Sequence, residues 1–250
     1  HDLMIGAGAI YSARFLDQYA IQFNGSTQYA YIDNPSFAGN TQGCFAFRLT
    51  PIVLPTLGSR SGIIGFAPNT AGNDSFFWIS QRYSSAPFGS FPRLELGTRK
   101  VNGGAFDLLD GSSTLVAGAT ISVVVQSNGT TSFLYINGVA QTVSRISGSN
   151  AGNWLGDISG ATKRLTFGCE WFSNALLNPG NEKMNNALYV SRTLTGPEIT
   201  EWHNGGTPNN PNRLSFRPDI VSSWRFENNL LDSIGTNHLT PVGSPTYVTP

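Results

Sequence analysis

Three groupings of side chains would give this 250-residue chain chemistry: paired carboxylates, histidine or cysteine sets, and exposed aromatic platforms. Acids that cleave a glycosidic bond with retention stand about 5 Å apart, and on a strand this calls for acids spaced by two residues. No Glu-x-Asp-x-Glu strand occurs. Glu95 stands between Leu94 and Leu96, and Glu170 precedes Trp171 without an acidic partner, so each reads as an isolated surface acid. His1, His203 and His238 are scattered, which argues against a zinc set or a nucleophile–base pair. No Gly-x-Ser-x-Gly elbow joins a strand to a helix, and the glycine-rich stretches lack the lysine of a phosphate loop. The chain is therefore expected not to be an enzyme. Cys44 and Cys169 lie in apolar runs, GCFAF and LTFGCEWF. They read as buried free thiols, or else as a disulfide between neighbouring strands.

Sugar binding asks for less: an aromatic surface for the apolar face of the ring and a few amide or carboxylate partners. Candidate platforms are Trp78, Tyr83, Trp154, Trp171 and Phe172, with Asn153, Asp157, Ser173 and Asn174 close by in sequence. Of these, Trp78, Tyr83, Trp154, Trp171 and Asn174 form the candidate glycan-binding set. The same aromatics also suit a core, because half of every strand faces inward.

The elements that must position them are strands. Charged residues make up 12% of the chain, half the usual share of roughly 25%, while 28 glycines and 14 prolines mark a turn-rich all-β protein. Asn24-Gly25, Asn102-Gly103, Asp110-Gly111, Asn128-Gly129 and Asn137-Gly138 supply the positive φ that tight hairpins need. Strands are predicted at 121–126, 131–136 and 139–143 as a meander, with others at 21–23, 29–32, 44–49, 76–83, 94–96, 164–171 and 187–191. In LTGPEITEWHNGG, Thr195 and Glu198 have capping-box spacing and Asn204-Gly205-Gly206 supplies a stop, which predicts one helix of about two turns. Fifteen basic and fifteen acidic side chains cancel, so no nucleic-acid partner is expected. No run of about 18 apolar residues predicts membrane insertion, and the first residues lack the basic leader of a retained signal peptide.

Three segments resemble the laminin-G-like, concanavalin-A-like lectin and glucanase superfamily, and in particular members carried by bacteriophages. They are YAIQFNGSTQYAYI, FLYINGVAQ and ALYVSRTLTGPEITEWHNGG, which together span most of residues 19–206. In the family a Trp-x-Phe segment with a later Leu-x-Asp-x-x-Gly usually comes first. Here it appears at the other end, as SSWRFENNLLDSIGTNHLTP. A permuted order is favoured over a truncated second copy, since a solitary exposed strand is unfavourable.

The resemblance implies an all-β, two-sheet antiparallel jelly-roll sandwich. An arm over residues 1–18 would precede one sandwich over 19–250, in which 207–218 connects and 219–250 returns to complete a sheet. It also implies calcium as a candidate cofactor, with Asp33, Asp74 and Asp107 as candidate ligands. Asn34, Asn73 and Asp110 are further donors, although turns favour these residue types for backbone reasons as well. The function expected first is a non-catalytic bacteriophage virion structural protein, a capsid decoration, head fibre or tail module. Such a protein would sit on the virion surface, dock on other virion proteins, bind host glycans and form homo-oligomers. The alternative is a stand-alone carbohydrate-binding lectin module, and a glycan-cleaving enzyme comes third.

Overall fold

The computed structural model describes residues 19–85, 88–207 and 209–250; the arm expected over 1–18 lies outside them. In chain order the strands begin with β1 (Ala20–Gln22), β2 (Tyr29–Asp33), β3 (Gly43–Pro51), β4 (Arg60–Pro68), β5 (Phe76–Ser84) and β6 (Phe91–Arg99). They continue with β7 (Phe106–Gly111), β8 (Ile121–Ser127), β9 (Ser132–Ile136), β10 (Val139–Ala140), β11 (Val143–Ser147) and β12 (Lys163–Phe167). The last are β13 (Glu170–Phe172), β14 (Ala175–Leu177), β15 (Glu182–Val190), β16 (Ile220–Trp224), β17 (Thr240–Val242) and β18 (Thr246–Val248). A helix, α1 (Gly196–His203), follows β15.

Two eight-stranded antiparallel sheets face each other. The first runs β10-β9-β8-β3-β15-β1-β18, with β16 also on β15; the second runs β11-β7-β6-β5-β4-β12-β2-β17. Between them lies a core of alternating apolar side chains, among them Phe45, Phe47, Val123 and Val125 from the first sheet and Phe66, Phe77, Ile79 and Leu96 from the second. Trp154 enters this core from a loop. Its indole packs edge-on to Phe77 at 4.9 Å between ring centres and donates to Tyr189 Oη at 3.1 Å.

The first sheet is also apolar on its outer face, and the second carries an apolar patch of Ala67, Phe76, Trp78 and Leu108 there beside a charged one, so each has a further cover. Behind the first sheet, Cys44, Ala46, Val124 and Leu188 are covered by Ile199 and Trp202 of α1 and by Leu214 and Phe216 from the connecting stretch. The capping box is present: the Glu198 carboxylate accepts from the Thr195 backbone N–H at 2.7 Å, and Asn204 ends the helix in the left-handed conformation. Behind the second sheet lies the hairpin of β13 and β14.

The C-terminal segment returns to the sandwich. β16 pairs with β15, β18 with β1, and β17 with β2, so the C-terminal segment contributes to both sheets. Trp224 is fully buried; its ring meets Phe167 at 5.1 Å, and its Nε1 donates to the Asn237 carbonyl at 2.7 Å.

Two local expectations differ from the structure, while the reading of the cysteines as buried free thiols agrees with it. Asp110-Gly111 lies inside β7, where Asp110 is fully buried, and makes no turn. The third strand of the meander divides, β10 staying with β9 while β11 crosses to pair with β7 of the second sheet. Cys44 and Cys169 are both buried and free, and burial pushes the Cys169 thiol up to about 12. Among the described residues no helix is long and apolar enough to cross a membrane.

Because Trp224 closes the core, Trp224→Ala is expected to lower unfolding free energy by about 3–5 kcal/mol while the transition stays single. Urea unfolding followed by fluorescence and by circular dichroism measures this; an unchanged midpoint would mean that the tail is an appendage.

Candidate functional site

On β5 the side chains alternate: Phe77, Ile79, Gln81 and Tyr83 share the inner face, while Phe76, Trp78, Ser80, Arg82 and Ser84 share the outer one. On the outer face Phe76 and Trp78 stack with ring centres 3.6 Å apart and planes 1° from parallel. Gly97 on β6 lies directly across from Trp78, and a Cβ there would collide with the indole, so the glycine makes room for the ring. Glycine has a second such role at Gly62 on β4, where a Cβ would meet the backbone at Glu170 and lift the β13–β14 hairpin off the sheet.

A groove of about 210 Å³ runs over this stack. Its walls are Arg60, Arg99, Phe106, Leu108 and Phe172. Arg99 lies 5.6 Å from the Phe76 ring centre and 5.0 Å from that of Phe106, while Arg60 lies 5.7 Å from that of Trp78. These are distances at which a guanidinium is attracted to the ring face. Arg99 pairs through Nη1 with Asp74, and its Nε has no partner.

Beneath the groove is a buried charge cluster. Arg60 on β4 stands directly opposite Arg82 on β5, which in turn stands opposite Arg93 on β6. Like charges placed so are unfavourable, and Glu95 resolves the conflict. Its fully buried carboxylate accepts from Arg60 Nε at 2.5 Å and from Arg82 Nη1 at 2.9 Å, with Trp78 Nε1 at 3.3 Å. Glu170 is also fully buried. Ser80 Oγ donates to it at 2.5 Å and Asn178 Nδ2 at 2.7 Å, and desolvation pushes its pKa up to about 7. Both glutamates thus depart from the expected surface acids. Each neutral Leu or Trp neighbour in sequence faces the opposite side of its strand, which is why sequence neighbours misjudged their burial. Neither carboxyl group can reach a glycosidic bond, for both are sealed beneath side chains that occupy their oxygens.

The aromatics named from sequence separate. Trp78 and Trp171 join one outer-face cluster with Phe76, Leu108 and Phe172. Tyr83 faces the other side of β5, Trp154 lies in the inter-sheet core with no exposure, and Asn174 is exposed at the hairpin tip in the left-handed conformation. Sequence reasoning missed Arg60, Phe76, Arg99, Phe106 and Leu108. The signal was present in the period-two spacing of Phe76 with Trp78 and of Glu95, Gly97 and Arg99, but it becomes legible only once the outer face is known.

The candidate calcium ligands are each occupied. Asp33 holds Arg164 at 2.7 and 2.9 Å; Asp74 holds Arg99 and the Gly103 N–H; Asp107 accepts from the backbone at Ser149 and Ala151. Among the described residues no group of three His, Cys, Asp or Glu is placed to hold a metal ion.

No family model matches the chain, and no curated protein matches it by sequence. Solved structures do match in shape. One is the CBM40 of the Ruminococcus gnavus IT-sialidase bound to α2,3 sialyllactose, at 16% identity and a TM-score of 0.56, covering 75% of this chain and 97% of that one. Another, described as a carbohydrate-binding protein, comes from Bacteroides ovatus, at 13% identity and a TM-score of 0.63, covering 94% and 60%. A third is the heptameric SAP-like pentraxin of Limulus polyphemus, at 14% identity and a TM-score of 0.54, covering 94% and 93%. The likeness is one of fold.

It confirms the concanavalin-A-like sandwich and corrects the bacteriophage reading. None of these three is a virion structural protein, so the expected capsid-decoration or tail role, the virion-protein partners and the virion-surface location lose their basis. The physical reason is that Asn-Gly hairpins, a capping box and a Trp-x-Phe strand are demands of the sandwich itself. They identify a fold and not the particle or cell that carries it.

Glu170 and Glu182, the latter pushed up by burial to about 8, both hold protons more tightly folded than unfolded. Between about pH 4.5 and 8 the unfolded chain therefore binds fewer protons, and stability falls as pH rises. Their contribution is fully present below about 4.5, the ordinary value for a glutamate, and is lost as pH passes about 7 and about 8. Glu182→Gln is expected to flatten this slope between about pH 4.5 and 8 in urea midpoints measured across a pH series.

Proposed function

We propose that the chain is a non-catalytic carbohydrate-binding module whose ligand docks on the outer face of the second sheet, in the groove over Phe76 and Trp78. The observation that carries this reading is a stacked aromatic pair flanked by two arginines, with no acidic side chain in the groove lining among the described residues. Phe76 and Trp78 are themselves buried, so the ring surface left for the apolar face of a sugar is that of half-buried Phe106 and Phe172; the Arg60 fork is held by Glu95, which leaves Arg99, paired through Nη1 with Asp74, as the guanidinium to attract a carboxylate. The groove therefore favours a glycan that bears a carboxylate. The CBM40 of similar fold, solved with α2,3 sialyllactose, supports the same ligand class.

The lectin reading replaces the virion one, and a glycan-cleaving activity has no support in the two sealed glutamates. Calcium has no part in the proposed binding, because Asp33, Asp74 and Asp107 are committed to arginines and backbone N–H groups.

Titration calorimetry with 3′-sialyllactose and with lactose tests the proposal. Binding of the first and not the second is expected, unchanged by EDTA, and Arg99→Ala should weaken it by roughly tenfold or more without moving the unfolding midpoint by a comparable amount. Equal binding of lactose, or silence toward both, would refute it.

A further inference from the structure

Phe106 has a groove on each side. On one side it walls the arginine-flanked groove; on the other it walls a second hollow of about 380 Å³. Ligand sites for small molecules generally occupy about 300–1,000 Å³. The first groove alone falls short of that range, and the hollow that shares Phe106 with it lies within the range.

The second hollow has the composition of a sugar site. Val101, more than half exposed, stands on its rim with Ala105, and Phe106 gives an aromatic edge. Lys100 and Asn153 bring polar groups to the same space. The Lys100 ammonium sits 3.3 Å from Asp157 Oδ1, and an ammonium has three donors, so this contact leaves donors for a ligand hydroxyl.

The floor is rigid. Asp107 accepts the Ser149 N–H at 2.5 Å through Oδ1 and the Ala151 N–H at 3.2 Å through Oδ2, with the Asn153 amide at 3.4 Å. A Cβ on Gly148 would collide with this carboxylate, so the loop is pressed against it. Asp107 is thus a positioning residue, holding Asn153 and the loop backbone beside Phe106.

We infer that the hollow beside Lys100 and Asn153 is a second sugar subsite, so that the module binds an oligosaccharide. The acidic unit would lie beside Arg99, and the next unit would pass over Phe106 into the hollow. This rests on the carbohydrate-binding reading above and deepens it, since a protein with both subsites distinguishes the linkage and the second unit as well as the terminal sugar.

The experiment compares free N-acetylneuraminic acid with 3′-sialyllactose by calorimetry, on the whole chain and on Ala105→Trp. Ala105 is exposed and lies on the hollow side alone, so the indole fills the hollow without entering the first groove. The trisaccharide is expected to bind roughly tenfold or more tightly than the monosaccharide. Ala105→Trp should erase that difference while leaving the affinity for the monosaccharide unchanged. Equal affinities in the unaltered chain, or a difference that survives Ala105→Trp, would overturn the second subsite and leave the first groove standing. Failure of both sugars to bind would overturn the carbohydrate-binding reading, and the subsite with it.

Discussion

A carboxyl group with no access to water must either hold its proton more tightly, as Glu170 and Glu182 do, or be matched by charge, and the second sheet is organised around the latter demand at Glu95. Leaving such a group unpaired costs on the order of 3–5 kcal/mol, so Arg60 and Arg82 are held to it from two neighbouring strands. The two arginines repel each other across β4 and β5, and the same carboxylate relieves that repulsion. With Trp78 Nε1 directed at Glu95 as well, the floor of the groove and one of its arginines are set before any ligand arrives. Preorganisation of this kind lowers the ordering cost of binding.

The second constraint is that each sheet carries apolar side chains on its outer face as well as its inner one. One outer face is closed by α1 and the stretch after it, the other partly by the β13–β14 hairpin. Where the hairpin stops short, Phe76, Trp78, Phe106 and Leu108 are left lining a groove. The site is thus the uncovered remainder of a surface that the fold otherwise covers. Glu170 ties the two conditions together, for it begins the hairpin and is held by Ser80 and Asn178 close to Arg60.

The bacteriophage expectation failed where the fold expectation succeeded, and the difference is instructive. Asn137-Gly138 turns a hairpin and Glu198 caps a helix for reasons confined to a few residues. Such features recur in any sandwich of this kind. The structural relatives, at 13–16% identity, share the architecture without sharing a recognisable sequence. A site must therefore be argued from its own side chains.

By itself, the sequence determined what local chemistry controls: strands marked by alternation, turns marked by Asn-Gly, the capped helix, and a C-terminal Trp-x-Phe strand with no core of its own. Alternation with period two says that a strand has two faces, and it does not say what covers either one. The tertiary structure decided that Glu95 and Glu170 are buried, that Trp154 belongs to the core while Trp78 floors a groove, and that Arg60 and Arg99 both line it. Those outcomes depend on register between strands far apart in the chain, where a shift of one residue would exchange the inner and outer faces.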